Sequence, residues 1–262
     1  MKSNLYNRWF SVLLVCLLIF VVSGCSKDEG GTQVSPDEIL GVKGDLTVQF
    51  SARFGTEPFA AAKGYAYQGK QKVMFSKVEF YITDIQLVGT NRAASDQAGL
   101  INLTGSTEAS KNISLTGLAS GHYTGIEFTL GVTPALNKKS PRDFPPSNPL
   151  SLSGGFWEDW GSYIFTQILG LVDPEGSGHF TNGFAIQTGT DECSVKVTIE
   201  KDITIKESKP ASITLDVDVL QFFKQGSTYY DLIADPLSHN IGDLGSLRLF
   251  AEAIAKAIVV KL

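Results

Sequence analysis

From Leu46 to Phe54 apolar and polar residues alternate: Leu46, Val48, Phe50, Ala52 and Phe54 against Thr47, Gln49, Ser51 and Arg53. Period two predicts a strand with one face buried. Residues 73–88 carry the same pattern with a change of phase. Val78, Phe80 and Ile82 lie in one phase, Ile85 and Leu87 in the other. The slip at Thr83-Asp84 predicts a β-bulge. Shorter runs at Ile113–Leu115, Ile126–Leu130, Ile164–Leu169, Phe180–Gln187, Val195–Ile199 and Ile213–Val219 also read as strands. Asn91–Gly99 and Asp173–Gly178 read as turns from their Gly, Asn, Asp and Pro content. Roughly eight short strands joined by turns predict a mainly β fold, an antiparallel β-sandwich or barrel.

The pattern changes twice. Near the end, Leu247, Phe250, Ile254, Ala257 and Ile258 recur at three- and four-residue steps, with Arg248, Glu252 and Lys256 on another face. This predicts a C-terminal helix over Leu247–Val259, with Asp243 near its positive end. In the middle, Gly131–Gly170 holds five of the ten prolines together with Phe156, Trp157, Trp160, Tyr163 and Phe165. Disordered segments are poor in aromatics. The segment is therefore read as one long, proline-rich ordered loop ending on a strand near Tyr163.

The first residues follow a different logic. Lys2 and Arg8 precede an apolar run from Trp9 to Val22. That length suits a signal-peptide core and falls short of the roughly 20 residues of a membrane span. Val22-Ser23-Gly24-Cys25 resembles a bacterial lipobox, so residues 1–24 are read as a lipoprotein signal and Cys25 as the lipidated residue. Ser26-Lys27-Asp28-Glu29 resembles the export signal that sends some Gram-negative lipoproteins to the outer face of the outer membrane. Residues 25–43, with Gly30, Gly31, Ser35 and Pro36, read as anchor and flexible tether. A single domain is expected over residues 44–262. The expected location is the outer membrane, facing outward, with the membrane reached through the lipid.

Loss of residues 1–24 removes Lys2 and Arg8 and moves the formal charge from −5 to −7. An acidic domain argues against nucleic-acid binding, which shows a basic footprint. Of the three cysteines, Cys16 leaves with the signal and Cys25 carries lipid, so Cys193 stands alone and is expected to be buried. The sequence holds no G-x-S-x-G, P-loop, HExxH or zinc-type cysteine pair. Glu158-Asp159 are adjacent, which does not set the separation a glycosidase pair needs. No enzymatic activity is expected. His122, His179 and His239 are the metal-ligand candidates, and no two of them have short ligand spacing. Trp157, Asp159, Trp160 and Tyr163 are the candidates for ligand contact, because tryptophan offers large apolar area with a polar N–H; Gln187 joins them only through a family resemblance.

Several segments together resemble the MbnP-like domain of bacterial periplasmic and surface lipoproteins. Phe80-Tyr81-Ile82-Thr83-Asp84-Ile85-Gln86-Leu87 is similar to the family's F-Y-[VI]-[ST]-[DN]-[VI]-x-L strand. Gly125-Ile126-Glu127-Phe128-Thr129-Leu130-Gly131-Val132 is similar to its G-[LIV]-x-F-x-[LI]-G-V strand. Asn137, Pro149-Leu150, Trp157 and Tyr163-Ile164-Phe165 follow in the order of its N-H, P-L and W-x-W-x-x-G-Y-x-F elements, and Gln187-Thr188-Gly189 with Cys193 matches H-x-G-x-x-x-C. The resemblance implies a non-catalytic binding lipoprotein and copper as the cofactor, held by imidazoles and in some members by an oxidised tryptophan. The departures fall on that chemistry. Gln187 and Lys138 stand where histidines are usual, Asp159 stands where the second tryptophan is usual, and Cys193 lacks a partner. Copper prefers imidazole and sulfur to amide oxygen or ammonium. The competing expectation is an interaction lipoprotein that binds a protein or glycan partner through Trp157 and Trp160 without metal.

Overall fold

A computed structural model describes residues 42–261 apart from 90, 91, 96 and 208. The expectations for the signal peptide, Cys25 and nearly all of the tether lie outside the described residues. In chain order the strands are β1 (Lys43–Phe54), β2 (Glu57–Pro58), β3 (Gly64–Ala66), β4 (Lys72–Val88), β5 (Ala93–Ser95), β6 (Gly99–Asn102), β7 (Asn112–Ala119), β8 (Gly121–Leu130), β9 (Phe156–Trp157), β10 (Ser162–Asp173), β11 (Asn182–Gly189), β12 (Val195–Ile205), β13 (Ala211–Asp218), β14 (Lys224–Gln225), β15 (Thr228–Tyr229), β16 (Leu237–Ser238) and β17 (Ile258–Val260). The α-helices are α1 (Pro134–Asn137) and α2 (Leu244–Lys256).

The strands form two main sheets. In the smaller, the order is β17-β13-β1-β2, with β7 also paired to β1. In the larger, the order is β12-β8-β4-β10-β11-β16, with β3, β5 and β6 added along β4 and β9 along β10. The alternation of β1 explains how they meet. Leu46, Val48 and Phe50 are almost fully buried, and Phe50 packs edge-on against Phe80 of β4 and Phe128 of β8, with ring centroids 5.8 and 6.5 Å apart. Each such side chain, fully buried, contributes about 1.5–3 kcal/mol. The result is a sandwich; the sheets do not close into a barrel.

The sheets are mixed where antiparallel pairing was expected throughout. β1 runs parallel to β13, from Leu46 beside Ala211 to Arg53 beside Asp218, and β11 runs parallel to β16. Short hairpins enforce antiparallel pairing, but most of the larger sheet lies between β1 and β13 in the sequence, so no hairpin constrains their direction. The Asn91–Gly99 turn also contains β5 and the first residue of β6. The C-terminal helix is present, but it ends at Lys256 and Ile258–Val260 pairs with β13 instead. Ile258-Val259-Val260 is a β-branched run, and such residues suit a strand. Asp243 is the N-cap of α2, its carboxylate accepting from Ser246 N at 3.3 Å.

The bulge at Thr83-Asp84 positions the long loop. The register of β4 against β8 shifts between Thr83 and Gln86, and Asp84 adopts φ 51°, a left-handed conformation Asp tolerates better than most residues. Thr83 Oγ1 donates to Gly131 O at 3.0 Å and accepts from Thr133 N at 3.2 Å. Gly131 has φ 98°, and a Cβ there would lie 2.5 Å from the Phe165 ring. Glycine is therefore required where the loop leaves β8.

Candidate functional site

The loop from Gly131 returns to the larger sheet through a buried anchor. Tyr163, fully buried, donates its hydroxyl proton to the Leu150 carbonyl. Tyr81, on β4, donates to Pro149 O at 3.1 Å and accepts from Gly155 N at 2.9 Å. The two rings meet edge to face at 5.9 Å. Burial, with smaller contributions from Tyr81 and Asp143, pushes the Tyr163 phenol up to about 12. Beside them Asn137 accepts from Tyr163 N at 3.1 Å and donates to Ser162 Oγ and to Asp191 Oδ1, both at 3.0 Å. Ser162 Oγ in turn accepts from Thr190 N at 3.0 Å. This network ties α1, β10 and the end of β11 together, and it places Thr190 at φ 68°, a strained conformation for a β-branched residue.

On the outside of this anchor the aromatic residues stack. Trp157 and Trp160 lie face to face, with centroids 4.7 Å apart and planes 22° apart. Gly161, at φ 58°, turns the chain from Trp160 back into β10. Trp160 in turn rests on Gly189 of β11, where a Cβ would come within 2.4 Å of the indole. Trp157 also lies near His239, with ring centroids 6.2 Å and planes 25° apart. Trp157 Nε1 donates to Asp159 Oδ2 at 3.3 Å. Both tryptophans and His239 are half-buried, whereas Glu158 and Asp159 are exposed. His239 Nδ1 is shielded from solvent and has no hydrogen-bond partner among the described residues. A cleft of about 380 Å³ opens beside Trp160, bordered by Lys138, Ser162, Thr190, Asp191, Glu192 and Ile241.

The parallel pairing of β16 with β11 brings His239 to this place. Ile186 lies beside Ser238, so the next positions along the two strands are Gln187 and His239. Trp157, Asp159 and Trp160 thus share one end of the larger sheet with Gln187 and His239. Tyr163 does not join them at the surface, because it forms part of the buried anchor. His179 is exposed in the turn between β10 and β11, beyond Asn182 and therefore roughly 17 Å or more along the strand from Gln187. His122 is exposed at the start of β8, with Nε2 3.4 Å from Asp202 Oδ1 and Nδ1 3.5 Å from Thr204 Oγ1. The aromatic stack therefore contains one imidazole. Among the described residues there is no group of three or more His, Cys, Asp or Glu arranged to hold a metal ion. Cys193 is buried and free, and burial pushes its thiol up. In the sequence Asn137 stands out only as part of a motif and nothing local marks Ser162 or Asp191, so the network that joins them is a product of tertiary folding.

No curated protein matches the chain. Among solved structures it is similar to MbnP from Methylosinus trichosporium, at 13% identity over 76% of this chain and 82% of that one, with a TM-score of 0.49. The MbnP family model matches residues 43–238, about three-quarters of the sequence, and the chain belongs to the MbnP family.

Proposed function

We propose that this chain is a non-catalytic binding module of the MbnP family, held by lipid at Cys25 on the outward face of the outer membrane, which contacts a protein partner through the Trp160–Trp157–His239 rim. The observation that carries the reading is how the ring faces are used. Trp160 packs on Gly189 and against Trp157, and Trp157 is stacked near-parallel to both Trp160 and His239. A sugar platform needs an open aromatic face; both indoles are only half-exposed and already engaged with protein neighbours. Leu237, 58% exposed, precedes His239 by two residues, and Ile241, 40% exposed, borders the cleft beside Trp160. Aromatic and aliphatic groups ringed by Glu158, Asp159 and Asp191 suit a protein surface with an apolar centre and basic rim.

A photo-crosslinking residue placed at Leu237 in cells should give one discrete protein adduct, and the Trp160→Ala background should lose it. The same crosslinker at Lys201, far along β12, should give none. Equal adducts from both positions, or none from Leu237, would overturn the reading. For the anchor, Cys25→Ala should move the protein out of salt-washed membranes; retention there would show that something else holds it.

Copper does not fit the side chains gathered here. This end of the sheet carries one imidazole with its Nδ1 closed off, with Gln187 on the neighbouring strand and Asp159 bound to Trp157, a poor set for copper. One observation keeps copper as a second reading: His239 lies one strand over from the position that the family resemblance gives to histidine. A Cu(I) competition titration should find no tight stoichiometric copper, and His239→Ala should leave the curve unchanged. One tightly held equivalent, weakened by His239→Ala, would establish the copper reading instead.

A further inference from the structure

A second recess lies away from the aromatic stack, between α2 and the β14–β15 hairpin. Its volume is about 630 Å³, within the roughly 300–1,000 Å³ range of small-molecule sites. Phe222 and Phe250 form the floor, each at most 3% exposed, and Ala253 lines one side. Leu249 stands on the same wall and is 60% exposed. This leucine departs from the helix pattern, since Arg248 and Glu252 beside it form the polar face and pair at 3.1 Å. Leu249, Ala253 and Lys256 follow at steps of four and three, so one helix stripe runs from apolar to cationic along the recess.

The opposite wall is the hairpin, with Lys224 beside Tyr229 and Gln225 beside Thr228. Gly226, at φ 61°, opens its two-residue turn. The hairpin's base is held firmly: Tyr67 donates its hydroxyl proton to Tyr230 O at 2.6 Å, and Gln68 Nε2 donates to Tyr229 O at 3.1 Å. Its tip is exposed. Lys224 and Lys256 both line the recess, and neither has a carboxylate within 4.0 Å among the described residues. Glu252, the acid that lines it, is already paired with Arg248. In a chain of net charge −5, this apolar recess carries a cationic rim with no carboxylate partner among the described residues.

We propose that the recess binds a free long-chain carboxylate as a monomer, the alkyl chain lying over Phe222, Phe250, Leu249 and Ala253 and the head group between Lys224 and Lys256. The charge complementarity selects an anion, and the apolar floor requires it to be amphipathic. The inference is independent of the aromatic rim. The test is a titration of the full-length protein with palmitate, followed by displacement of a fluorescent fatty acid, with hexadecanol and anionic phosphatidylglycerol vesicles as parallel arms. Palmitate should bind saturably at one site. Lys224→Gln with Lys256→Gln should weaken it about tenfold, Leu249→Asp should weaken it further, and hexadecanol should bind less tightly than palmitate. All three positions are exposed, so circular dichroism of the variants should match the parent. Absent or non-saturable palmitate binding would overturn the proposal. So would equal affinity in the double variant, or binding to the vesicles alone.

Discussion

Tyr163 and Trp160 are three residues apart and meet opposite conditions. Tyr163 is fully buried, its ring is edge-on to Tyr81 and Phe156, and both its hydroxyl and its backbone N–H are hydrogen-bonded. Trp160 is half-exposed on a glycine, and the stack it begins ends on an imidazole whose Nδ1 is unpaired. The inner side of the loop satisfies its polar groups and holds position. The outer side leaves a shielded polar atom unpaired and its apolar rings partly exposed. Aromatic residues thus serve both purposes within one short segment, and hydrogen bonding distinguishes the two.

That contrast can be broken by substitution. Tyr163→Ala should cost about 3–5 kcal/mol in urea unfolding, as for other large buried aromatics. Tyr163→Phe should cost about 1–3 kcal/mol, because it leaves the Leu150 carbonyl without its donor. Next in size, Asn137→Ala should cost about 1–3 kcal/mol by stranding Tyr163 N and the Asp191 carboxylate. The smallest effect belongs to the outer side. His239→Phe keeps a ring against Trp157 and removes the unpaired nitrogen, so stability should stay within about 0.5 kcal/mol of the parent or rise. If His239→Phe proved more damaging than Asn137→Ala, the stack would be a structural support and the comparison would fail.

Most of the framework was legible because it is local. Leu46, Val48 and Phe50 announced β1 by period two, and the phase slip at Thr83-Asp84 announced the bulge that now anchors the loop. The end of α2 was misjudged because Ile258 fits a helical step as well as it fits a strand; pairing with β13 decided it. At the site, Trp157 and Trp160 stood out by composition. The arrival of His239 did not, since it depends on a two-residue parallel strand joining β11 from some 50 residues away. Tyr163 read as a surface candidate because aromatic clustering reveals no direction. Its burial follows from Leu150 and Tyr81 closing over it, which are tertiary contacts.

The position of β1 bears on how the molecule is made. It is the first strand described, yet it lies inside its sheet, with β13 parallel along one edge and β7 along the other. A chain that emerges from its N-terminus can pair β1 with β7 after little more than a hundred residues, but the β13 edge stays open until Asp218 has emerged. Until then Leu46, Val48 and Phe50 lack part of their cover. Non-local pairing of this kind slows folding and exposes unpaired edges. Nascent chains truncated before Ala211 should therefore need a holding chaperone, and those that extend past Val260 should be released from it.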